Sequence, residues 1–257
     1  MGLRVPANRG ELNQESVTTM PIPSWIKEPI LRCLYQRIGI TYNSVGVPLA
    51  MTKYLKKGVP LTLVDIGART GEFTRVIEAY CGIERALLVE PQPEHAAFLR
   101  RKFPSPRFDV AQCALSDRPG SMELEINVFD ATTSILETRR DIPEASRFDV
   151  SLARRVPCEL QTLDALMQKH KFGPVDLLKV DVQGAEHLVF AGAAETLPSV
   201  KMIWCEVSFR PLYVGSALFA GIYEQMMAAG FAMLELEGGY RTLEGELLQA
   251  DALFIRR

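Results

Sequence analysis

Leu61-Thr62-Leu63-Val64-Asp65-Ile66-Gly67-Ala68-Arg69-Thr70-Gly71-Glu72-Phe73 runs apolar, acid, glycine, glycine, and the rest of the chain builds outward from it. Leu61 to Ile66 is a short apolar run of the kind buried on both faces of a parallel sheet. Gly67 and Gly71 then break the run. Backbone without a Cβ can turn tightly at the carboxyl end of a strand and approach a ligand closely, before a helix opens near Glu72. A second apolar run, Ala86-Leu87-Leu88-Val89, ends in Glu90, about 20 residues beyond the glycines, where an acid can take ribose hydroxyls. The glycines follow Gly67-x-x-x-Gly71 rather than the tighter G-x-G-x-x-G of dinucleotide folds, so the ligand need not carry a pyrophosphate. A nucleoside with a charged tail fits better.

Taken in order, residues 1 to about 20 are polar and aperiodic, the signature of a loosely attached leader. Trp25, Ile26, Ile30, Leu31, Leu34, Tyr35 and Ile38 then recur at helical spacing, with Ser24 as a cap, and a second helix is expected across Pro48 to Lys57. These two helices either pack on the sheet or cap the substrate side of the pocket. Residues 1–58 are therefore read as a leader and helical extension, and 59–257 as the main domain. After Gly71 come a helix ending at Gly82, the strand ending in Glu90-Pro91, a helix over Gln92 to Lys102, and a strand from Phe108 to Leu115. Such alternation favours a parallel sheet with helices on both faces.

From Ser121 to Pro157 the rhythm changes. Met122 to Val128 alternates like a half-exposed strand and Val156 to Leu160 looks like its partner. Between them, Asp130 to Arg155 is a long polar excursion expected to shape acceptor choice and to contribute little to the cofactor site. The rhythm then resumes with a helix over Thr162 to His170, a strand over Val175 to Val182, and a helix through Leu188 and Phe190. A strand over Met202 to Val207 and a helix from about Ser216 to Ala229 follow. Phe231 to Glu235 and Ala252 to Ile255, separated by Gly238-Gly239, are expected to form an antiparallel edge hairpin.

The chain has 257 residues, a net charge of −2, 23% charged and 47% apolar residues. That balance argues against nucleic acid, an acidic membrane surface or a polyanionic substrate as the main partner. Cys33, Cys81, Cys113, Cys158 and Cys205 are widely spaced with no C-x-x-C pair, as expected of reduced thiols acting as small hydrophobes in a cytoplasmic protein. No signal-peptide core is visible, and no apolar segment reaches the roughly 18 residues needed to span a membrane.

Asp65-x-Gly67-x-x-x-Gly71 followed by a strand ending in Glu90 resembles the cofactor signature of S-adenosylmethionine-dependent methyltransferases. Five ordered stretches sharpen this: Val64 to Gly71, Val89-Glu90-Pro91-Gln92-Pro93-Glu94, Ala114-Leu115-Ser116-Asp117, Leu163-Asp164, and Leu178-Lys179-Val180-Asp181-Val182-Gln183-Gly184-Ala185-Glu186. Together they resemble the FkbM family of methyltransferases over roughly Leu61 to Val207. The resemblance implies an α/β fold with a Rossmann-like class I methyltransferase sheet, mostly parallel with an antiparallel C-terminal edge. It implies S-adenosylmethionine as cofactor and O-methylation of a hydroxyl on a sugar, glycolipid or polyketide-type metabolite. The cofactor would be held by Asp65, Gly67, Ala68, Arg69, Gly71, Phe73, Thr74, Glu90, Pro91, Ala114, Leu115, Ser116 and Asp181. Two departures stand out: the family usually has asparagine at the position of Arg69 and glutamate at that of Gln183. Arg69 could salt-bridge the methionine carboxylate, close over the ligand, or point to solvent.

Ligands in open α/β sheets bind beyond the carboxyl ends of the strands, so the loops after Ile66, Glu90, Leu115, Asp181 and Val207 should converge. Methyl transfer to a hydroxyl needs alignment and removal of one proton. Asp181 ranks first for that proton, then Glu186, His187 and Glu206. Lys179 would orient Asp181 or, with its pKa lowered by burial, assist. Glu186 and His187 open a helix, where an acid is favoured by the dipole alone. Asp181 with Glu206 supplies only two acids, too few for a metal site, so no metal is expected. The alternatives are a nucleotide-dependent oxidoreductase, against which the missing G-x-G-x-x-G speaks, and a methyltransferase-like binding protein without turnover. A homodimer is left open.

Overall fold

The computed structural model describes residues 43, 45–141, 149–242 and 244–257. The leader and the helix read from Trp25 to Ile38 lie outside these residues. The expected helix over Pro48 to Lys57 is a single 3₁₀ turn, Met51–Lys53. Its own bonds are mostly of the short 3₁₀ kind, Tyr54 N–H to the Met51 carbonyl among them, and a distant strand holds it as well: the Ala50 N–H donates to the Glu237 carboxylate at 2.8 Å and Lys53 pairs with Glu235.

The central sheet has seven strands. They are β1 (Leu61–Ile66), β2 (Ile83–Val89), β3 (Phe108–Ala111), β7 (Val175–Val180), β8 (Val200–Ser208), β9 (Phe231–Arg241) and β10 (Leu247–Arg256). Their order is β3-β2-β1-β7-β8-β10-β9, with β10 antiparallel to both neighbours and the rest parallel. A small second sheet joins β4 (Ala114–Leu115), β5 (Gly120–Asn127) and β6 (Leu152–Gln161) in the order β4-β6-β5. The helices are α1 (Glu72–Tyr80), α2 (Pro93–Lys102), α3 (Leu163–Lys169), α4 (Glu186–Ala191) and α5 (Phe219–Ala228).

The two-residue period of the strands sorts their side chains into two cores. Val64, Ile66, Leu178, Val180, Ile203 and Cys205 face one side, with Val189, Phe190 and Ile222. Leu61, Leu63, Leu177, Met202, Trp204 and Leu253 face the other, with Val76, Ile77 and Leu99. Cys81, Cys113, Cys158 and Cys205 are buried free thiols, and burial pushes Cys113 up to about 12. No helix of the described residues is long and apolar enough to cross a membrane.

Two expected elements differ. The strand over Phe108 to Leu115 is broken at Gln112-Cys113: β3 pairs with β2, while β4 leaves the central sheet to pair with β6. The C-terminal hairpin does not turn at Gly238-Gly239. Both glycines lie inside β9 at φ 73° and 131°, next to register shifts, and the turn comes at Thr242, whose N–H donates to the Glu246 carbonyl. Of the hairpin's two strands only β9 is an edge, because β10 is inserted between β8 and β9.

Candidate active site

The carboxyl ends of β1, β2 and β7 open into a cavity of about 440 Å³ that extends to β8 and β10. Gly67 forms part of its floor. At φ 74° a side chain is strained, and a Cβ there would lie 1.9 Å from the Asp181 carbonyl oxygen, so only glycine lets β1 and β7 close together at this level. Ala68, Arg69, Phe73, Glu90, Pro91, Ala114 and Leu115 also line the cavity.

Glu90 is 3% exposed, and each of its oxygens is already held. The Arg69 N–H donates to Oε2 and the Gln92 N–H to Oε1, both at 2.9 Å. A carboxylate can accept about four hydrogen bonds, so two remain for a ligand diol. Arg69, in left-handed backbone at φ 46°, turns its guanidinium to Asp130, with Nη2 at 2.8 Å from Oδ1.

Four residues expected at the cofactor do not line the cavity. Asp65 is fully buried one layer below, accepting from the Thr74 hydroxyl at 2.6 Å with Lys179 Nζ at 3.6 Å; Thr74 is buried with it. Burial raises the Asp65 pKa, with Lys179 opposing. Gly71 serves packing: at φ 74° its missing Cβ would come within 2.5 Å of Phe103 and 2.9 Å of Leu99. Ser116 donates its hydroxyl to Asp117, away from the cavity.

On the other side, strand register assembles the charges. Asp65 pairs with Lys179, Lys179 with Trp204, and Trp204 with Leu253, so these four share one face. Two residues further toward the cavity the same face carries Gly67, Asp181, Glu206 and Asp251, the last two directly paired across β8 and β10. Lys179, Asp181, Trp204 and Asp251 line the cavity. Lys179 Nζ lies 3.3 Å from Asp181 Oδ2 and donates to the Gly67 carbonyl at 2.8 Å. Burial alone would lower the Lys179 pKa, but the Asp181 and Asp65 carboxylates override it and raise it. Lys179 is therefore a fixed cation that positions Asp181, and the expected lowering is corrected.

Gln183 joins two of these groups. Its backbone is left-handed at φ 58°, and its Nε2 donates to Asp181 Oδ1 at 2.8 Å and to Glu206 Oε2 at 3.0 Å. The Tyr213 hydroxyl lies 3.0 Å from its Oε1. Gln249 Nε2 gives Glu206 a second donor at 2.8 Å. Even so, burial and the neighbouring Asp181 raise the Glu206 pKa well above the usual range.

Three of the ranked proton acceptors stand outside the cavity lining. Glu206 is absent from the lining and accepts from the Gln183 amide. Glu186 Oε1 accepts from the Val182 and Gly184 N–H groups of the turn before α4, at 3.0 and 3.2 Å, and is pushed up to about 7 by burial. His187 is lowered by desolvation. Among the described residues no cluster of three or more His, Cys, Asp or Glu could hold a metal.

The sequence reading missed Asp251, Trp204, Gln92 and the strap Asp130–Ile135. Asp251 has no hydrogen bond or ion pair from any described residue. Burial and Asp181, against Lys179, push it up to about 7. The strand alternation Trp204-x-Glu206 was a usable signal, but the level of Asp251 follows only from the β8–β10 register.

The family model described as the Methyltransferase FkbM domain matches residues 65–241, more than half of the chain. The chain belongs to the FkbM methyltransferase family. The 2-O-methyltransferase NoeI of Sinorhizobium fredii is 27% identical over 246 residues, spanning 89% of this chain and 98% of that protein. The solved methyltransferase FkbM from Methylobacillus flagellatus KT shares 12% identity at a TM-score of 0.49, over 87% of this chain and 50% of that one, so this chain spans half of that structure. Magnesium protoporphyrin IX methyltransferase (ChlM) from Synechocystis PCC 6803, solved with bound SAM, shares 10% identity at a TM-score of 0.42, over 90% of this chain and 79% of that one. The FkbM chain described here has the class I methyltransferase architecture: a mostly parallel α/β sheet with an antiparallel edge. The Gln183 amide joins Asp181 to Glu206, where an acid would have repelled both.

Proposed function

We propose that this chain is an S-adenosylmethionine-dependent O-methyltransferase acting on a hydroxyl of a sugar, glycolipid or polyketide-type metabolite. The observation that carries the reading is Glu90. A buried carboxylate has both oxygens fixed by neighbouring N–H groups, keeps acceptor capacity, and faces a cavity floored by Gly67. That arrangement suits a ribose diol, and the Gly67 floor gives the ligand's tail a path toward Lys179 and Asp181.

The cofactor supplies a methyl group on a cationic sulfur. The acceptor oxygen bonds to that carbon as the carbon–sulfur bond breaks, and the hydroxyl proton goes to a carboxylate. Asp181 is the residue assigned to it, since it lies on the cavity wall between the nucleoside half and the Trp204–Asp251 half. Lys179 and Gln183 hold its two oxygens in place. Among the described residues the cations on the cavity wall, Lys179 and Arg69, are both engaged by carboxylates, Lys179 by Asp65 and Asp181 and Arg69 by Asp130. An acceptor bearing phosphate or carboxylate would meet acids without a spare cation, so a neutral polyhydroxyl compound fits best.

Thermal shift with S-adenosylmethionine, its demethylated product and NAD tests the cofactor. The first two should raise the melting temperature and NAD should not. Incubating S-adenosylmethionine with neutral glycosides and polyketides, read by product mass, then tests the acceptor. Stabilisation by NAD alone would replace the reading with an oxidoreductase.

A further inference from the structure

Asp130 opens the excursion between β5 and β6, in a 3₁₀ turn, Asp130–Thr132. Its bonds lead back to the cofactor half. Arg69 donates from Nη2 and Nε to Oδ1, at 2.8 and 3.3 Å. His95 Nε2 lies 3.1 Å from Oδ2, and Gln92 Nε2 donates to the Asp130 carbonyl at 3.4 Å. Arg69 and Gln92 are the same two residues whose backbone N–H groups hold Glu90. Each gives its main chain to Glu90 and its side chain to Asp130. His95 closes the circuit, with Nδ1 at 3.8 Å from Glu90 Oε1, an electrostatic contact longer than a hydrogen bond.

The strap beyond Asp130 is anchored at its far end too. Asn127 Nδ2 donates to the Thr132 carbonyl at 3.1 Å, the Tyr213 hydroxyl lies 3.0 Å from that carbonyl, and Ser134 donates to the Val182 carbonyl at 3.4 Å. Asp130, Thr133, Ser134 and Ile135 line the same cavity as Glu90. The expectation that this excursion contributes little to the cofactor site does not match its bonding.

We propose that Asp130 is a positioning residue of the cofactor site, clamping the strap 130–135 over the nucleoside and locking the turn at Arg69 and the loop at Gln92 around Glu90. The inference rests on the cofactor reading above. A single half-exposed ion pair contributes little, but a two-pronged Arg69 contact joined to His95 and Gln92 forms a network whose parts hold one another. The charged groups facing His95 are Glu90, Asp130 and Arg69. The two carboxylates favour its protonated form and Arg69 opposes it, with a net upward shift led by Glu90. The clamp is therefore tightest while His95 is protonated and loosens as pH rises through its titration.

Calorimetry with S-adenosylmethionine and S-adenosylhomocysteine on the wild type, Asp130→Asn and His95→Gln, between pH 6 and 9, tests this. Asp130→Asn should weaken both ligands equally, by about tenfold, because both carry the adenosine. The ligand-free melting temperature should hold within about 2 °C. Wild-type affinity should fall with rising pH, and His95→Gln should flatten that dependence. Wild-type binding with unchanged affinity in Asp130→Asn, or a wild-type affinity independent of pH, overturns the clamp alone. No binding of either ligand by the wild type removes the cofactor reading and the clamp with it.

Discussion

Glu90 and the row of acids across the cavity are held in opposite ways. Glu90 is hydrogen-bonded by two neutral backbone N–H groups, of Gln92 next to it and of Arg69 in the adjoining turn, with His95 as an electrostatic neighbour beyond hydrogen-bond distance. Asp181, Glu206 and Asp251 come from three strands, brought to one level by register, and are held by side chains or by nothing among the described residues. A carboxylate fixed by main-chain donors is stable and waits for a ligand's hydroxyls. A row of acids sharing one lysine and two glutamine amides is buried together, and burial first, with the neighbouring Asp181 adding to it, raises the pKa values of Glu206 and Asp251. Such stored electrostatic cost is characteristic of sites that move protons. On the function proposed above, the Glu90 half would bind the nucleoside and the acid half would react.

The largest effect should come from separating these roles at Asp181. Asp181→Asn keeps the shape but cannot take a proton, so turnover should fall by roughly 10²-fold or more, while cofactor affinity changes by less than about threefold. Steady-state rates on the acceptor found by product mass, with calorimetry on the same variant, measure both. Near-normal turnover would leave the reaction driven by alignment alone or move the proton to Asp251.

Next is Gln183→Glu, which removes a double donor and sets a third carboxylate between Asp181 and Glu206. The new carboxyl has a folded pKa above its unfolded value, so stability is retained at low pH and lost as pH rises. At pH 8 the variant should lose about 2 kcal/mol, or roughly 4–8 °C in melting temperature, and recover most of it near pH 4. Equal melting curves for wild type and variant at pH 8 would show that the amide bridge is not what relieves the row.

The smallest effect concerns Asp251. Its folded pKa is raised to about 7 by burial, so its contribution to stability is present below the unfolded carboxylate range and lost as pH rises toward 7. Asp251→Asn should then raise the melting temperature by about 2–4 °C at pH 8 and leave it unchanged near pH 4. Differential scanning fluorimetry over that range is sufficient, and destabilisation at pH 8 would contradict the unpaired state of this acid.

The contrast between the halves also explains what could be read from the sequence. Gly67, Glu90 and the strands around them were legible because apolar runs, a glycine and a strand-ending acid act within a few residues of each other. The acid row was half legible. Lys179 and Asp181 lie at a strand end, but Asp251 and Trp204 reach the cavity through cross-strand register, which no local pattern encodes. Asp130 was legible only as the start of an excursion, since its partner Arg69 is 61 positions away. The glycines of β9 were mistaken for a turn because Gly238-Gly239 is a strong turn signal, whereas here they bend a long strand. The break between β3 and β4 was invisible because apolar residues continue through Cys113 while the hydrogen bonds change sheets.

The central claim is that Glu90 holds the nucleoside of S-adenosylmethionine. Calorimetric titration of that ligand into the wild type, Glu90→Ala and Glu90→Gln tests it most directly. Glu90→Ala removes both acceptors for the Arg69 and Gln92 N–H groups, and Glu90→Gln keeps one. Affinity should fall by at least about tenfold in both variants, on the scale of one lost charge-assisted hydrogen bond, with Glu90→Gln remaining folded by its melting curve. Unchanged affinity in a folded Glu90→Gln protein would contradict the claim.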